Sequence, residues 1–145
     1  MSNFDRIAVI GAGAFGTALA NAAALAGRRV TLVARTTTDA ERISQRRESP
    51  HLPGVRINDG VALAGMEAAK LDCDALLLAV PSQATREVLK FHAPKIASQI
   101  PIVACAKGIE YGTRRFMTEI ISEITPQSRP AILSGPCFAA DMGRG

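Results

Sequence analysis

The sequence predicts a doubly wound α/β domain, in which a mostly parallel β-sheet is covered by helices on both faces. Short apolar runs such as Arg6–Ile10 and Ala75–Val80 alternate along the chain with segments of helical periodicity. These runs lack the apolar–polar alternation of a half-exposed strand. Each strand is therefore expected to be buried on both faces, as in a parallel sheet.

The first half of the chain is predicted to alternate between strands and helices, with one long loop. The elements in order are strand Arg6–Ile10, helix Ala14–Ala26 ending at Gly27, strand Val30–Ala34, helix Asp39–Arg47, a loop over Ser49–Gly60 with a minor strand Val55–Ile57, and a short helix Leu63–Lys70.

The second half continues the same alternation. Its predicted elements are strand Ala75–Val80, a helix capped by Ser82 and ending before Pro101, strand Ile102–Ala106, helix Thr113–Ile124, strand Pro130–Leu133 and a helix beginning near Phe138. Apolar residues at 116, 117, 120, 121 and 124 give the fourth helix a clear 3.6-residue period.

Length and composition indicate one globular domain of residues 1–145. Apolar residues make up 48% of the 145 residues and charged residues 21%, which is typical of a folded chain. The net charge is +4, but the basic residues are dispersed, and the chain has one Tyr and no Trp for base stacking. Nucleic acid is therefore not expected as a partner.

An uncharged segment, Ile7–Gly27, resembles a signal peptide or a membrane span. Three glycines interrupt it in a pattern with its own explanation, and Thr17 and Asn21 add polarity. We therefore expect no membrane insertion.

The cysteines and histidines predict neither a disulfide framework nor a metal site. Cys73, Cys105 and Cys137 are widely spaced and odd in number, which fits a reducing cytoplasm. His51 and His92 lack the spacing of metal ligands or of a catalytic triad, so both are predicted to be surface or loop histidines.

The segment after the first strand carries the spacing GxGxxG and opens a helix. In a dinucleotide-binding turn of the Rossmann type, Gly11 would allow the tight turn, Gly13 would let the backbone reach a pyrophosphate, and Gly16 would let helix and strand pack closely. The helix N-terminus would offer its free N–H groups to the phosphates.

The residue after the second predicted strand indicates which dinucleotide is bound. NAD sites usually have Asp or Glu there, to bind the ribose 2′-hydroxyl, whereas this chain has Arg35. A guanidinium can pair with a 2′-phosphate and stack on adenine. The sequence therefore favours NADP, or tolerance of both NADP and NAD.

Three later strand ends should meet at the ligand-facing edge of the sheet. They are Val80–Gln83, which contains Pro81 as an expected cofactor contact, Lys107–Glu110 and Ser134–Phe138. Lys107 could point at a phosphate or a carbonyl oxygen. Cys137 lacks an activating base nearby in sequence and is expected to be a packing or contact residue.

Four segments together resemble bacterial NAD(P)-dependent glycerol-3-phosphate dehydrogenase: GAGAFGTALA (11–20), AVPSQ (79–83), AKGIE (106–110) and LSGPCFAADMGRG (133–145). The loop Pro50–Gly54 is similar to a loop of that family as well. The resemblance implies hydride transfer between NAD(P)H and dihydroxyacetone phosphate, giving sn-glycerol 3-phosphate for phospholipid synthesis.

The resemblance also implies roles for individual residues. Ala14 and Phe15 would line the pyrophosphate turn, and Arg35 the adenosine end. Lys107 would touch both cofactor and substrate, Gly135 and the residue at 137 would hold the substrate, and Ala139 would contact the cofactor.

Two departures from the family pattern accompany the resemblance. Position 137 is usually Ser or Thr in the family, and the thiol of Cys137 is a weaker hydrogen-bond partner. Family members are about twice as long, with a helical C-terminal domain that supplies the proton-transferring lysine. No residue of this chain is therefore predicted as the general acid or base, and the chain alone is expected to be inactive.

Two other hypotheses stay open at this stage: a reductase of the 3-hydroxyacid or ketopantoate type, and a non-catalytic NADP-binding module. The AKGIE and SGPCFA segments argue against the first of these. No motif determines the oligomeric state, and a homodimer is left open.

Overall fold

The computed structural model describes residues 4–145 and confirms the predicted doubly wound α/β fold. Six strands form one sheet: β1 (Arg6–Ile10), β2 (Arg29–Ala34), β3 (Val61–Gly65), β4 (Ala75–Leu78), β5 (Pro101–Ala104) and β6 (Arg129–Ile132). The helices are α1 (Ala14–Leu25), α2 (Thr37–Arg46), α3 (Thr85–His92), α4 (Met117–Ile124) and α5 (Ala139–Arg144).

The strand order is β3-β2-β1-β4-β5-β6, and the neighbouring strands run parallel. Strands β2 and β3 follow β1 in order toward one edge of the sheet, and β4 then lies on the other side of β1. In such sheets, ligands bind outside the carboxyl ends of the strands where the order reverses. In this chain that place lies between the segments that follow β1 and β4.

Strand β1 shows why the apolar runs are continuous. Ala8 and Ile10 belong to a core cluster shared with Leu89 of α3 and Ile120 of α4. Val9, which points to the opposite face, belongs to a second cluster shared with Ile43 of α2. Both faces of the strand are therefore buried, as the sequence pattern predicted.

The helix predicted over Leu63–Lys70 is wrong, because Val61–Gly65 forms strand β3. The strand pairs with β2 in a register that sets Val61 beside Val30 and Gly65 beside Ala34. Ala and Leu favour helices in isolation, but the sheet hydrogen bonds outweigh propensities that are worth only about 0.5 kcal/mol per residue. Within the described chain, residues 66–74 contain no helix.

Helix α4 begins at Met117, four residues later than predicted. The preceding residues 109–116 turn back on themselves instead, with an antiparallel bridge between Ile109 and Phe116. The Glu110 N–H donates to the Arg115 carbonyl oxygen at 2.9 Å.

The predicted minor strand Val55–Ile57 is only one isolated bridge, between Arg56 and Glu48.

The prediction for His92 is wrong, whereas His51 is exposed as expected. His92 lies on the buried face of α3, with no solvent exposure, three residues after the core residue Leu89. Neither ring nitrogen has a hydrogen-bond partner among the described residues. Burial, together with the smaller effect of the Lys95 charge, lowers the pKa of His92 to about 4.

Candidate functional site

Two of the three motif glycines are in positions that no side chain could share. Gly11 has φ +111°, and a Cβ atom there would lie 2.3 Å from the carbonyl oxygen of Ala79, which follows β4. A Cβ atom on Gly16 would lie 1.8 Å from the carbonyl oxygen of Gly11. These contacts bring α1 and the ends of β1 and β4 together at the point where the strand order reverses.

Gly13 differs from its two neighbours in the motif. A Cβ atom on Gly13 would meet nothing within 4 Å. Gly13 is also the N-cap of α1, and no side chain caps the helix there. The first N–H groups of α1 therefore have no side-chain cap, and the helix dipole makes this end of the helix favourable for an anion. The shape and the donor set both fit the pyrophosphate of a dinucleotide.

A buried serine that the sequence reasoning missed fixes the conformation of this turn. Ser49, which has no solvent exposure, donates from Oγ to the carbonyl oxygen of Ala12 at 3.0 Å. Thr17 donates to the same oxygen at 3.4 Å. Ser49 in turn accepts a hydrogen bond from the N–H of His51 at 3.2 Å, which ties the loop after α2 to the turn.

Arg35 lies directly after β2, as predicted, and is exposed. Its side chain makes no hydrogen bond or ion pair with the described part of the chain. The nearby acid Asp39 is already engaged, because it accepts from Thr36 Oγ1 at 3.0 Å and from Arg42 at 2.7 Å. A free guanidinium thus remains at the end of the second strand, where a 2′-phosphate would lie.

Lys107 lies beyond the end of β5 and is exposed. Within residues 4–145, its ammonium group has no hydrogen-bond or ion-pair partner. The next residue packs against the segment that follows β4, because a Cβ atom on Gly108 would lie 2.8 Å from Ser82 Oγ. The predicted strand ends after β4 and β5 are therefore in contact. Pro81, on the β4 side, is exposed.

The third strand end forms an exposed connection over residues 133–138, between β6 and α5, which we call the strap. Strand β6 is the outermost strand, whereas α5 packs on α1, which lies against β1 and β2. Three strand intervals separate β6 from β1, or about 14 Å. The strap therefore runs back across the carboxyl ends of β5 and β4.

Two predicted substrate contacts lie on the strap, where both are exposed. A Cβ atom on Gly135 would meet nothing within 4 Å, and Cys137 makes only a weak contact from Sγ to the Phe138 carbonyl oxygen at 3.9 Å. Ala139 begins α5 and packs against the cluster of Ala18, Leu52 and Val55, together with Ala14.

Asn21 anchors α5, the helix that follows the strap, although sequence reasoning gave it no such role. Its buried amide donates to the carbonyl oxygen of Gly143 at 3.0 Å and to that of Arg56 at 2.9 Å. Its Oδ1 accepts from the N–H of Asn58 at 2.9 Å. A single side chain of α1 thus joins α5 and the loop after α2.

Other reactive groups do not form a site in the described chain. Cys73 and Cys105 are buried, and burial raises the pKa of each thiol to about 11, so both are protonated at neutral pH. Residues 4–145 contain no cluster of three or more His, Cys, Asp or Glu side chains that could hold a metal ion. No helix in this range has the length and apolar character needed to cross a membrane.

Comparison with known families shows which family the chain resembles. The model of the family described as NAD-dependent glycerol-3-phosphate dehydrogenase N-terminus matches residues 6–145. The chain belongs to this family. The glycine turn, Lys107 and the strap all lie within the matched residues, so the resemblance seen in the sequence is confirmed.

Curated relatives match over the whole chain. A glycerol-3-phosphate dehydrogenase [NAD(P)+] of Afipia carboxidovorans is 53% identical over 145 residues, which is 100% of this chain and 45% of the relative. One from Rhodopseudomonas palustris is 54% identical, covering 100% of this chain and 44% of the relative. The chain thus spans less than half the length of these relatives.

Solved structures give the same result for the fold. A glycerol-3-phosphate dehydrogenase from Coxiella burnetii superposes with a TM-score of 0.85 at 26% identity, over 97% of this chain and 43% of its own. A ketopantoate reductase from Ralstonia eutropha superposes less well, with a TM-score of 0.62 at 20% identity over 88% of this chain and 39% of its own. The second likeness shows a shared fold alone.

Proposed function

We propose that this chain binds NAD(P)H and is the cofactor-binding part of a glycerol-3-phosphate dehydrogenase. The observation that carries the proposal is the open space over Gly13, between two glycines that admit no side chain. A turn that needed only to connect a strand to a helix would not require an uncapped helix end at an open crevice. The curated relatives are named as NAD(P)+-dependent dehydrogenases, which supports the same cofactor.

For the reaction, we propose reversible hydride transfer between the nicotinamide and dihydroxyacetone phosphate, giving sn-glycerol 3-phosphate for phospholipid synthesis. The cofactor supplies the hydride chemistry when bound, while the chain supplies orientation and charge. Free Lys107 would neutralise the substrate phosphate or polarise its ketone, and would also contact the cofactor. Gly135 and Cys137 on the strap would hold the substrate from the facing side.

The proton transfer to the new alkoxide requires a further group. Relatives are more than twice the length of this chain, and we propose that a lysine of a helical C-terminal domain supplies the proton in the whole enzyme. On that proposal, residues 1–145 bind cofactor but turn over little or no substrate.

For the cofactor, we propose that NADPH is preferred over NADH. The support is Arg35, which has no partner within the described residues, and the engagement of Asp39 by Thr36 and Arg42. We also propose a cytoplasmic location, supported by three unpaired thiols at positions 73, 105 and 137. A homodimer is a further proposal of the same kind.

The test is titration of NADPH into the 145-residue chain, followed by nicotinamide fluorescence, with Gly13→Ser as the deciding variant. Serine is a good N-cap, so the variant should keep or slightly raise the melting temperature. Its side chain would occupy the open space and cap the free amides, so affinity should fall at least about ten-fold. A wild-type chain that does not bind NADPH, or a variant that binds equally well, contradicts the proposal.

The reaction is tested separately, by adding dihydroxyacetone phosphate and following NADPH absorbance. The 145-residue chain should show no turnover, whereas a protein of the relatives' full length that contains this sequence should oxidise NADPH. Turnover by the short chain at the rate of the full-length protein contradicts the proposed division of labour.

A further inference from the structure

Lys107 lies in a loop, but the Lys107 side chain makes no contact within residues 4–145 that holds this loop in place. The Lys107 loop (residues 107–111) leaves β5, and the lysine has no partner in the described chain. A charge that binds a phosphate must be positioned within a fraction of an ångström to be effective. The groups that fix this loop therefore lie elsewhere, and the structure identifies them.

One of these groups is the side chain of Gln83, which follows β4. Its Nε2 donates to the Ile109 carbonyl oxygen at 2.9 Å, and its Oε1 accepts from the N–H of Tyr111 at 2.9 Å. The carboxamide thus pairs with the backbone on both sides of Glu110, as a neighbouring strand would. Ser82, the residue before Gln83, packs directly against Gly108.

The second group is Arg86, one turn further along on α3. Its Nε and Nη2 atoms donate to the two carboxylate oxygens of Glu110 at 2.8 and 3.0 Å. Both side chains are largely buried, with exposed fractions of 16% and 11%. This pairing, helped by the Thr113 hydroxyl, lowers the pKa of Glu110 to about 2, so the carboxylate is charged over the whole working pH range.

Arg86 also connects the loop to the rest of the domain. Its Nη1 donates to Glu123 of α4 at 2.7 Å, and Glu123 pairs with Arg115 on the returning limb of the turn. Buried, bidentate arginine pairs of this kind fix geometry better than exposed single contacts do. The loop is thus tied to the segment after β4 through Gln83 and to α3 through Arg86, which also pairs with Glu123 of α4.

We propose that Gln83 and Arg86 are positioning residues, which hold Lys107 at the ligand-facing edge while touching neither cofactor nor substrate. This inference rests on the proposed role of Lys107. It gives the segment after β4 two roles. The segment forms part of the crevice beside Gly11, and it also fixes the loop after β5 that carries Lys107.

The test combines NADPH affinity with amide hydrogen exchange in the 145-residue chain. Gln83→Ala should weaken NADPH binding about three- to ten-fold. It should also accelerate exchange of the Tyr111 amide in the free chain, while the melting temperature stays unchanged because Gln83 is exposed. Gln45→Ala, an exposed glutamine on α2, is the matched control and should change neither quantity.

A double-mutant cycle distinguishes positioning from a general structural effect. In the Lys107→Ala background, Gln83→Ala should cause no further loss of affinity, because the group that it positions is already gone. Arg86→Gln should behave like Gln83→Ala with a larger effect, and Arg114→Gln, in the same turn, is its control. If Arg86→Gln fails to fold, Gln83→Ala still decides.

The outcomes separate this proposal from the one on which it rests. If Lys107→Ala leaves NADPH affinity unchanged, the proposed role of Lys107 is wrong and the positioning proposal falls with it. If Lys107→Ala weakens binding but Gln83→Ala does not, or if the two losses simply add, only the positioning proposal is overturned. Unchanged Tyr111 exchange in Gln83→Ala also overturns it, whatever the affinities are.

Discussion

Ser49 donates a hydrogen bond to the carbonyl oxygen of Ala12 at 3.0 Å, although the two residues are 37 positions apart in sequence. Ala12 lies between Gly11 and Gly13, so this bond sets the orientation of a peptide group in the phosphate-binding turn. The turn is therefore held by a residue of the loop after α2, in addition to its own glycines.

Removal of this hydroxyl should affect both stability and binding. Ser49→Ala should lower the free energy of unfolding by about 1–3 kcal/mol, because a partly buried carbonyl oxygen loses its better donor. NADPH affinity should fall as well, as the peptide becomes free to rotate. Urea denaturation and fluorescence titration measure the two effects, with Ser44→Ala on the exposed face of α2 as the control. Equal stability of the two variants would refute the role of Ser49.

The third motif glycine gives a prediction in which two effects oppose each other. Alanine in a helix is favoured over glycine by about 1 kcal/mol. At Gly16, however, the added Cβ atom would lie 1.8 Å from the Gly11 carbonyl oxygen, a backbone clash that costs about 3 kcal/mol or more. Gly16→Ala should therefore lower the melting temperature clearly, whereas Gly135→Ala, which meets nothing within 4 Å, should not. A stabilised Gly16→Ala variant contradicts the observed packing.

Cofactor preference should depend on Arg35. Arg35→Asp should reduce the ratio of NADPH to NADH affinity by about ten-fold or more, since it replaces attraction of a 2′-phosphate by repulsion. Arg129→Asp makes the same charge change at the opposite end of the sheet, and isolates the contribution of net charge. If both variants shift the ratio equally, Arg35 has no local role.

The buried imidazole of His92 predicts acid sensitivity in a defined window. Folding favours its neutral form, so its contribution to stability is complete above pH 6.5 and is lost as the pH falls toward about 4. The loss should be of order 3 kcal/mol, since one pKa unit corresponds to about 1.4 kcal/mol. Urea denaturation at a series of pH values measures it.

The only other histidine is the natural control for this window. His92→Leu should flatten the pH dependence between 6.5 and 4, whereas His51→Leu, at an exposed position, should leave it unchanged. The Glu110 carboxylate, whose pKa is lowered from 4.5 to about 2, loses its contribution from about pH 4.5 downward, so it overlaps only the acid end of that window. A slope above about pH 5 that survives in His92→Leu would show that another group titrates there.

Most of the strands and the ligand-facing edge could be predicted from the sequence, because each depends on local pattern. The glycine turn, Arg35 after β2 and Lys107 after β5 lie where the pattern predicted them. The strand Val61–Gly65 could not be predicted, since its central Ala and Leu residues favour a helix locally and only pairing with β2 decides otherwise. The burial of His92 was detectable from its spacing to Leu89 on one helix face.

The supporting contacts were beyond prediction for a different reason. Ser49 reaches Ala12, Asn21 reaches Gly143 and Gln83 reaches Tyr111 only after the sheet has assembled in its register. No local signal marks these polar residues, because each side chain would also be stable on a solvent-exposed surface. They are also the residues that give the predicted site its shape.

The strap has a practical consequence for anyone handling the protein. Its last residue before α5, Phe138, is 79% exposed, which makes it a ready cleavage point for a protease that cuts after aromatic residues. On the proposed function, a ligand bound at the strap would protect this bond and slow the cut. The rate of proteolysis at this bond, measured on a gel, would then report the ligand occupancy of the site without an activity assay.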